Sequence, residues 1–381
     1  MFGKAKGLRL TVGIKIAAIL GVVTVPFAMM TGLYILQVAK DITFAQTEVV
    51  GAHYVLSLWN AAVASDPKAA VSALESVRRS DPAMDGALKS TAAVDAFVAA
   101  LRAGDQAGVS AGAQSAISKV SDGSNLTLDP DLDSYYLMDA ITVRLPEMRS
   151  ALLGLLAADK MLEGSAKVNG AAIVAVVDAA TRLRLARASA ASSIEAAMEG
   201  NADGSVRKKL SDTVSALAKS GAASASAATT LVTSLQGGRT DGAKELSTAL
   251  AAEIAAVETL WPRAQEQLVR LLDARIAGFE SQRLSRMVIV SLCLFLTGVV
   301  LVLVIRSIRR PLSGVLTTIG RFQSGDFVTP VAGGDLNNEF GEIARALQRL
   351  QGMTGEHALT TAGLNGSGAM LMITDPNERI N

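Results

Sequence analysis

Two long apolar runs, each without a charged residue, constrain this chain more than anything else in it. The first, IAAILGVVTVPFAMMTGLYILQVA, spans 16–39, and the second, MVIVSLCLFLTGVVLVLVI, spans 287–305. At about 1.5 Å of rise per residue, either run as a helix reaches across a hydrocarbon layer of about 30 Å. Such a layer offers no water to backbone N–H and C=O groups, so a run of this kind crosses it as a helix. Pro26 in the first run is tolerable there, because neighbouring helices satisfy the carbonyl it frees.

Flanking charges orient both runs. Lys4, Lys6, Arg9 and Lys15 precede the first, and Arg306, Arg309 and Arg310 follow the second. The positive-inside rule puts both clusters in the cytoplasm. Residues 1–15 are then a cytoplasmic N-terminus, 16–39 and 287–305 two transmembrane helices, and 40–285 an extracytoplasmic domain. Arg283 and Arg286, on the outer flank of the second run, weaken the contrast slightly. The first run outlasts a signal-peptide core of about 7 to 15 residues and lacks a clean Ala-x-Ala-like cleavage site, so it reads as retained.

Between the runs the composition favours helices. Alanine is abundant and aromatic residues make up only 4% of the chain, and alanine is a strong helix former depleted from sheets. Helical patterns run from Lys40 toward Ala64, Pro67 to Arg79, Met84 to Arg102, and Gln106 to Val120. Others cover Pro130 to about Leu162, Ala171 to Met198, Ser205 to Leu235, and Ala243 into the second apolar run. The clusters EGNADGS (199–205) and QGGRTDG (236–242) act as stops. An all-α helical bundle with both ends planted in a bilayer is the expected architecture.

Several chemistries drop out. The formal net charge of +1 offers no concentrated basic face for nucleic acid. With one cysteine, Cys293, and two histidines, His53 and His357, neither an intrachain disulfide nor a Cys/His zinc site can be assembled. No phosphate loop or nucleophile triad is legible, so the chain is expected to be non-enzymatic, with no catalytic residue and no cofactor.

The stretch LTLDPDLDSYYLMD (126–139) concentrates acidic residues. Asp129, Asp131 and Asp133 occupy the first three oxygen positions of a calcium loop, but Ser134 and Ala140 stand where glycine and glutamate are required. The metal reading fails. A helix start fits better, with Asp129 as N-cap, Pro130 at the first helical position, and Asp131 and Asp133 facing the positive end of the helix dipole. A ligand contact is the alternative. Tyr135 or Tyr136 would offer a hydroxyl to an interhelical pocket, and Arg144 would pair bidentately with a ligand carboxylate. Arg182, Arg184 and Arg187 read as a solvated basic stripe.

After the second run, Ile308, Leu312, Val315, Ile319 and Phe322 are spaced 4, 3, 4, 3, and Phe340, Ile343, Leu347 and Leu350 are spaced 3, 4, 3. Two short heptad stretches flank a linker carrying Gly325, Pro330, Gly333 and Gly334, which cannot be continuous helix. Val328 and Val331 in the linker are expected to pack onto the bundle. This arrangement over 306–358 resembles a HAMP domain. The matching residues are Pro311 just inside the first helix, the Gly325-Asp326-Phe327 step, and Asn338-Glu339-Phe340-Gly341 opening the second. The family usually has Asp-Glu where this chain has Asn338-Glu339. The resemblance implies a parallel coiled-coil bundle of two chains, a homodimer, with Pro311, Gly325 and Glu339 in the signal relay.

Residues 364–381, LNGSGAMLMITDPNERIN, look like the opening of an α/β PAS domain, with Met370–Thr374 as a strand and Asp375-Pro376-Asn377 as a turn. Eighteen residues cannot form that core, so the PAS start reads as truncated. The whole order resembles a bacterial transmembrane sensor, best a methyl-accepting chemotaxis receptor. That resemblance implies a small-molecule ligand or binding protein outside, and an adaptor protein and histidine kinase inside, reached through an output module. A sensor histidine kinase or diguanylate cyclase with its catalytic domain beyond residue 381 is the alternative.

Overall fold

The structure, a computed structural model, describes residues 12–163 and 170–366. Among these residues it is helical throughout, without a strand. The strand expected at Met370–Thr374 lies outside the described residues. The chain divides into two compact units, Ile35–Leu284 and the remainder, Met1–Tyr34 with Ser285–Asn381.

The Ile35–Leu284 unit is bounded by the longest helices, α1 (Val12–Val63) and α10 (Ala243–Gln323), each shared with the other unit. Between them come α2 (Pro67–Ser80), α3 (Met84–Ala87), α4 (Thr91–Ala103), α5 (Gln106–Gly123), α6 (Leu132–Asp139), α7 (Leu145–Glu163), α8 (Gly170–Gly200) and α9 (Ser205–Gln236). Caps mark the breaks. Asp66 accepts from the Lys68 amide ahead of α2, with Pro67 at its first position, and Asp105 accepts from the Ala107 amide ahead of α5. The single helix expected over Met84–Arg102 is two, because residues 88–90 break it and Ser90 turns its hydroxyl to the buried Asp85.

One apolar core runs through this unit, from Ala52, Val55 and Leu58 of α1 to Leu260, Ala264 and Leu268 of α10. At its centre Trp261 is fully buried and stacks on Trp59, ring centroids 4.7 Å apart. The Trp261 indole donates to the Ile141 carbonyl at 2.7 Å. That carbonyl lies in a π-helical turn, Ala140–Arg144, closed by the Leu145 amide donating to the Ala140 carbonyl. A helix interrupted this way frees backbone acceptors, and the indole takes one. The continuous helix expected from Pro130 to Leu162 is therefore α6, the π turn and α7.

In the other unit, α10 contains an apolar window long enough to cross a membrane, with none of it buried inside the protein. Arg286 sits over the Tyr34 ring, 4.6 Å from its centroid. This cation–π contact occupies one of the arginines that weakened the charge contrast. Beyond the window α10 continues to Gln323, and α11 (Glu339–Gly366) follows a non-helical connector.

Candidate functional site

Charges on the buried stripe of an amphipathic helix must find partners, since an unpaired buried ion is costly. Along α1 the stripe is Ala45, Glu48, Ala52, Val55 and Trp59, and Glu48 is as buried as its neighbours. Along α10, Arg275 follows Leu268 and Leu272 on the corresponding stripe. The two meet, Arg275 Nη1 donating to Glu48 Oε2 at 3.1 Å.

The same guanidinium binds the stretch before α6. Its Nε donates to Asp131 Oδ2 at 2.7 Å, and its Nη2 donates to Asp129 Oδ1 and to the Ser134 hydroxyl. Asp129 is not the helix N-cap that the sequence led one to expect. The helix begins at Leu132, with Asp131 in the N-cap position and Pro130 outside it. Asp129 Oδ1 instead accepts from the Asp131 amide at 3.0 Å, the Ser134 hydroxyl at 2.9 Å, and Arg275. Turned inward, Asp129 keeps one amide bond and adds an ion pair with a buried arginine, which a cap position would not give it.

Three carboxylates thus share one guanidinium, and the side chains of Glu48 and Asp129 are wholly shielded from water. Burial, reinforced by Asp129, pushes the Glu48 carboxyl up to about 8 despite Arg275. Burial also raises Asp129, against the opposing pull of its hydrogen bonds and Arg275. The cluster ties α1, the α6 entrance and α10 together.

A second buried pair holds α8 to α10. Arg187, two turns before Ile194 on the α8 stripe, donates Nε to Glu253 Oε1 at 2.8 Å and Nη2 to Oε2 at 2.9 Å. Ser224 of α9 completes it, its hydroxyl reaching Glu253. Arg187 is therefore not part of a solvated stripe. Arg182 pairs with Asp178 at 2.6 Å, and Arg184 lines a cleft of about 310 Å³ with Thr181 and Thr229.

The tyrosines expected as ligand contacts stand side by side in α6, rings edge to face at 5.3 Å. Tyr135 is exposed, whereas Tyr136 packs against the core. Arg144 Nε donates to Asp139 Oδ2 at 3.0 Å, and its Nη1 lies 3.6 Å from Glu147. The π turn aligns Asp139 and Arg144, five residues apart, which an α-helix would rotate away from each other. Asp139 also accepts from the Ser193 hydroxyl of α8 at 2.5 Å.

The connector after α10 is stitched to α11. Gly325, at φ +86°, ends α10 in the left-handed conformation that suits glycine, and the Asp326 amide closes back on the Arg321 carbonyl at 3.0 Å. Asp326 then accepts from the Thr329 amide and hydroxyl, bonds that hold its carboxyl below the usual range. From α11, Gln351 donates to the Phe327 and Thr329 carbonyls, Gln348 to Val331, and Arg345 to Gly334 and Leu336. Val331 is buried as expected, but Val328 is 91% exposed in the single chain, where no apolar neighbour covers it. Glu339 opens α11 after Asn338, whose side chain accepts from the Gly341 amide at 3.1 Å. A Cβ on Gly341 would collide with the Leu336 carbonyl, so glycine is needed there. Pro311 does not open a helix, because α10 passes through it unbroken. It removes one backbone bond from the continuous rod.

Sequence reasoning missed Glu48, Arg275, Arg187 and Glu253. Their signal was a charge at a buried-stripe position, legible as a break in an apolar pattern. The partners were not legible, since nothing local links residue 48 to residue 275.

Residues 303–354 match the HAMP domain family. No curated protein and no solved structure matches the chain. A HAMP domain continuing from an apolar helix marks this chain as a membrane-associated protein of the transmembrane signal-transducer type.

Proposed function

We propose that the protein is a methyl-accepting chemotaxis receptor that spans the inner membrane twice through 16–39 and 287–305, with its helical domain in the periplasm. The observation that carries this reading is α10, one helix from the core around Trp261 through the apolar window into the HAMP match. A ligand that favours one packing of the outer helices shifts a two-state equilibrium, and a continuous helix passes that bias inward. The receptor works as a homodimer. HAMP proteins generally act as dimers, and Ile319, Ile343 and Leu350, on the heptad seam, are exposed in the single chain.

In this reading a small molecule or binding protein is sensed outside, and an adaptor and histidine kinase are controlled inside, while the chain itself performs no chemistry. Tyr135, Tyr136 and Arg144 are the proposed ligand contacts, supported by the exposure of the Tyr135 ring and the Arg144 side chain. A ligand carboxylate would draw Arg144 from Asp139 or Glu147. Residues 364–381 begin a PAS domain.

The test is to read the gene beyond codon 381. Long heptads folding back at a hairpin tip support the chemoreceptor. A kinase domain with a phosphorylated histidine, or a cyclase loop, would move the protein into the enzyme class and overturn the output proposed here.

A further inference from the structure

Glu48 and Asp129 each give one oxygen to Arg275 and keep one back. Glu48 Oε1 and Asp129 Oδ2 are buried and have no hydrogen-bond partner. An ionised carboxylate only accepts, so neither group can supply the donor the other lacks, whereas a protonated carboxyl has a hydrogen to donate. An orphaned buried acceptor is costly, and here there are two, on carboxylates held by the same guanidinium.

Charge leads to the same place. The groups facing Glu48 are Asp129 and Asp131 from the segment before α6 and Arg275 from α10. With all carboxylates ionised, one cation faces three anions, two of them shielded from water. Arg270, the neighbouring arginine on α10, is occupied by Ser205, Gln267 and Asp203, and Asp133 is taken by Asn201. Like charges in a shared dry site do not all stay ionised.

We propose that Glu48, held with Asp129 and Asp131 on one guanidinium, is a proton-binding site, and that releasing the proton loosens α1 from α10. The site is occupied at neutral pH and empties in mildly alkaline surroundings, so external pH becomes an input to the helices that continue toward the membrane. The proton site stands on its own geometry, while its role as a signal rests on the receptor reading above.

The experiment uses the full chain in lipid nanodiscs, with infrared difference spectra taken as the pH is raised. A protonated carboxyl shows a carbonyl stretch that ionised carboxylates lack. That band is expected at neutral pH and is lost with a midpoint in the region of pH 8. Glu48→Gln should remove it. Asp131→Asn, at an exposed position that still accepts from Arg275, takes away one negative charge and should lower the midpoint by about one pH unit. No band at neutral pH, or one that titrates unchanged in both variants, overturns the proton site. Amide exchange of residues 45–55, corrected for its intrinsic pH dependence, should accelerate as the band disappears. Constant exchange would overturn the loosening while leaving the proton site in place. A gene encoding a different output would change neither measurement.

Discussion

Trp59 of α1 and Trp261 of α10 stack with centroids 4.7 Å apart and planes 6° from parallel. Arg149 caps the pair, its guanidinium 6.0 Å from the Trp59 ring and bonded to Glu258 at 2.9 Å. This contact and the Arg275–Glu48 bridge clamp the same two helices at two levels. Gln265 adds a third link, donating to the Ala52 carbonyl at 3.3 Å.

Truncating the more deeply buried ring tests the apolar level of the clamp. Trp261→Ala should cost about 3–5 kcal/mol, the range for emptying a buried aromatic site. Trp261→Phe keeps most of the area but abandons the Ile141 carbonyl, and should cost about 1–3 kcal/mol. Thermal unfolding of the full chain in detergent, followed by circular dichroism, measures both. A Phe variant as stable as the unaltered chain would count against the indole bond.

The Arg187–Glu253 pair should show the asymmetry of a buried bridge. Arg187→Ala strands a carboxylate with no exposure and should destabilise by about 3–5 kcal/mol. Replacing both residues, as Arg187→Met with Glu253→Leu, should recover most of that loss. A double-mutant cycle reads the coupling, and additive single effects would refute it.

Stability should fall as the medium turns alkaline. The Glu48 carboxyl titrates near 8 when folded against an ordinary 4.5, so between those values the folded chain holds a proton that the unfolded chain has released. Proton uptake on folding makes stability decline with rising pH, and this contribution is fully lost above the folded value. The unfolding midpoint should be lower at pH 9 than at pH 6, and Glu48→Gln should flatten the difference. A midpoint that rises over this range in the unaltered chain would contradict the assignment.

In the HAMP segment, Gly341→Ala should force the connector away from α11, because the added methyl meets the Leu336 backbone. Faster amide exchange over 326–338 is the expected result, and Gln351→Leu should produce a milder version by freeing two carbonyls. Unchanged protection in both would show that the connector is held by other contacts.

Glu339→Ala removes a carboxylate from the positive end of α11, worth about 0.3–1 kcal/mol. A change of that size should bias output without altering ligand affinity outside. The comparison is kinase control against ligand binding in the same reconstituted receptor, and unaltered signalling would argue against a relay role.

The sequence by itself determined the helical class, the apolar runs and the HAMP match, because each rests on local periodicity and composition. Apolar spacing, the EGNADGS and QGGRTDG stops and the glycine step at Gly325 act within a few residues. Glu48 and Arg275 were missed, although each breaks an apolar stripe of its helix. Only the tertiary structure decided that these two residues, far apart in the chain, meet, that Asp129 turns inward instead of capping α6, and that the helix after Asp139 opens a π turn for Trp261. Long-range pairing of buried charges and indole donors depends on which helix faces lie together, and no local preference encodes that. Where a buried arginine offered an ion pair in addition to an amide bond, the long-range partner won.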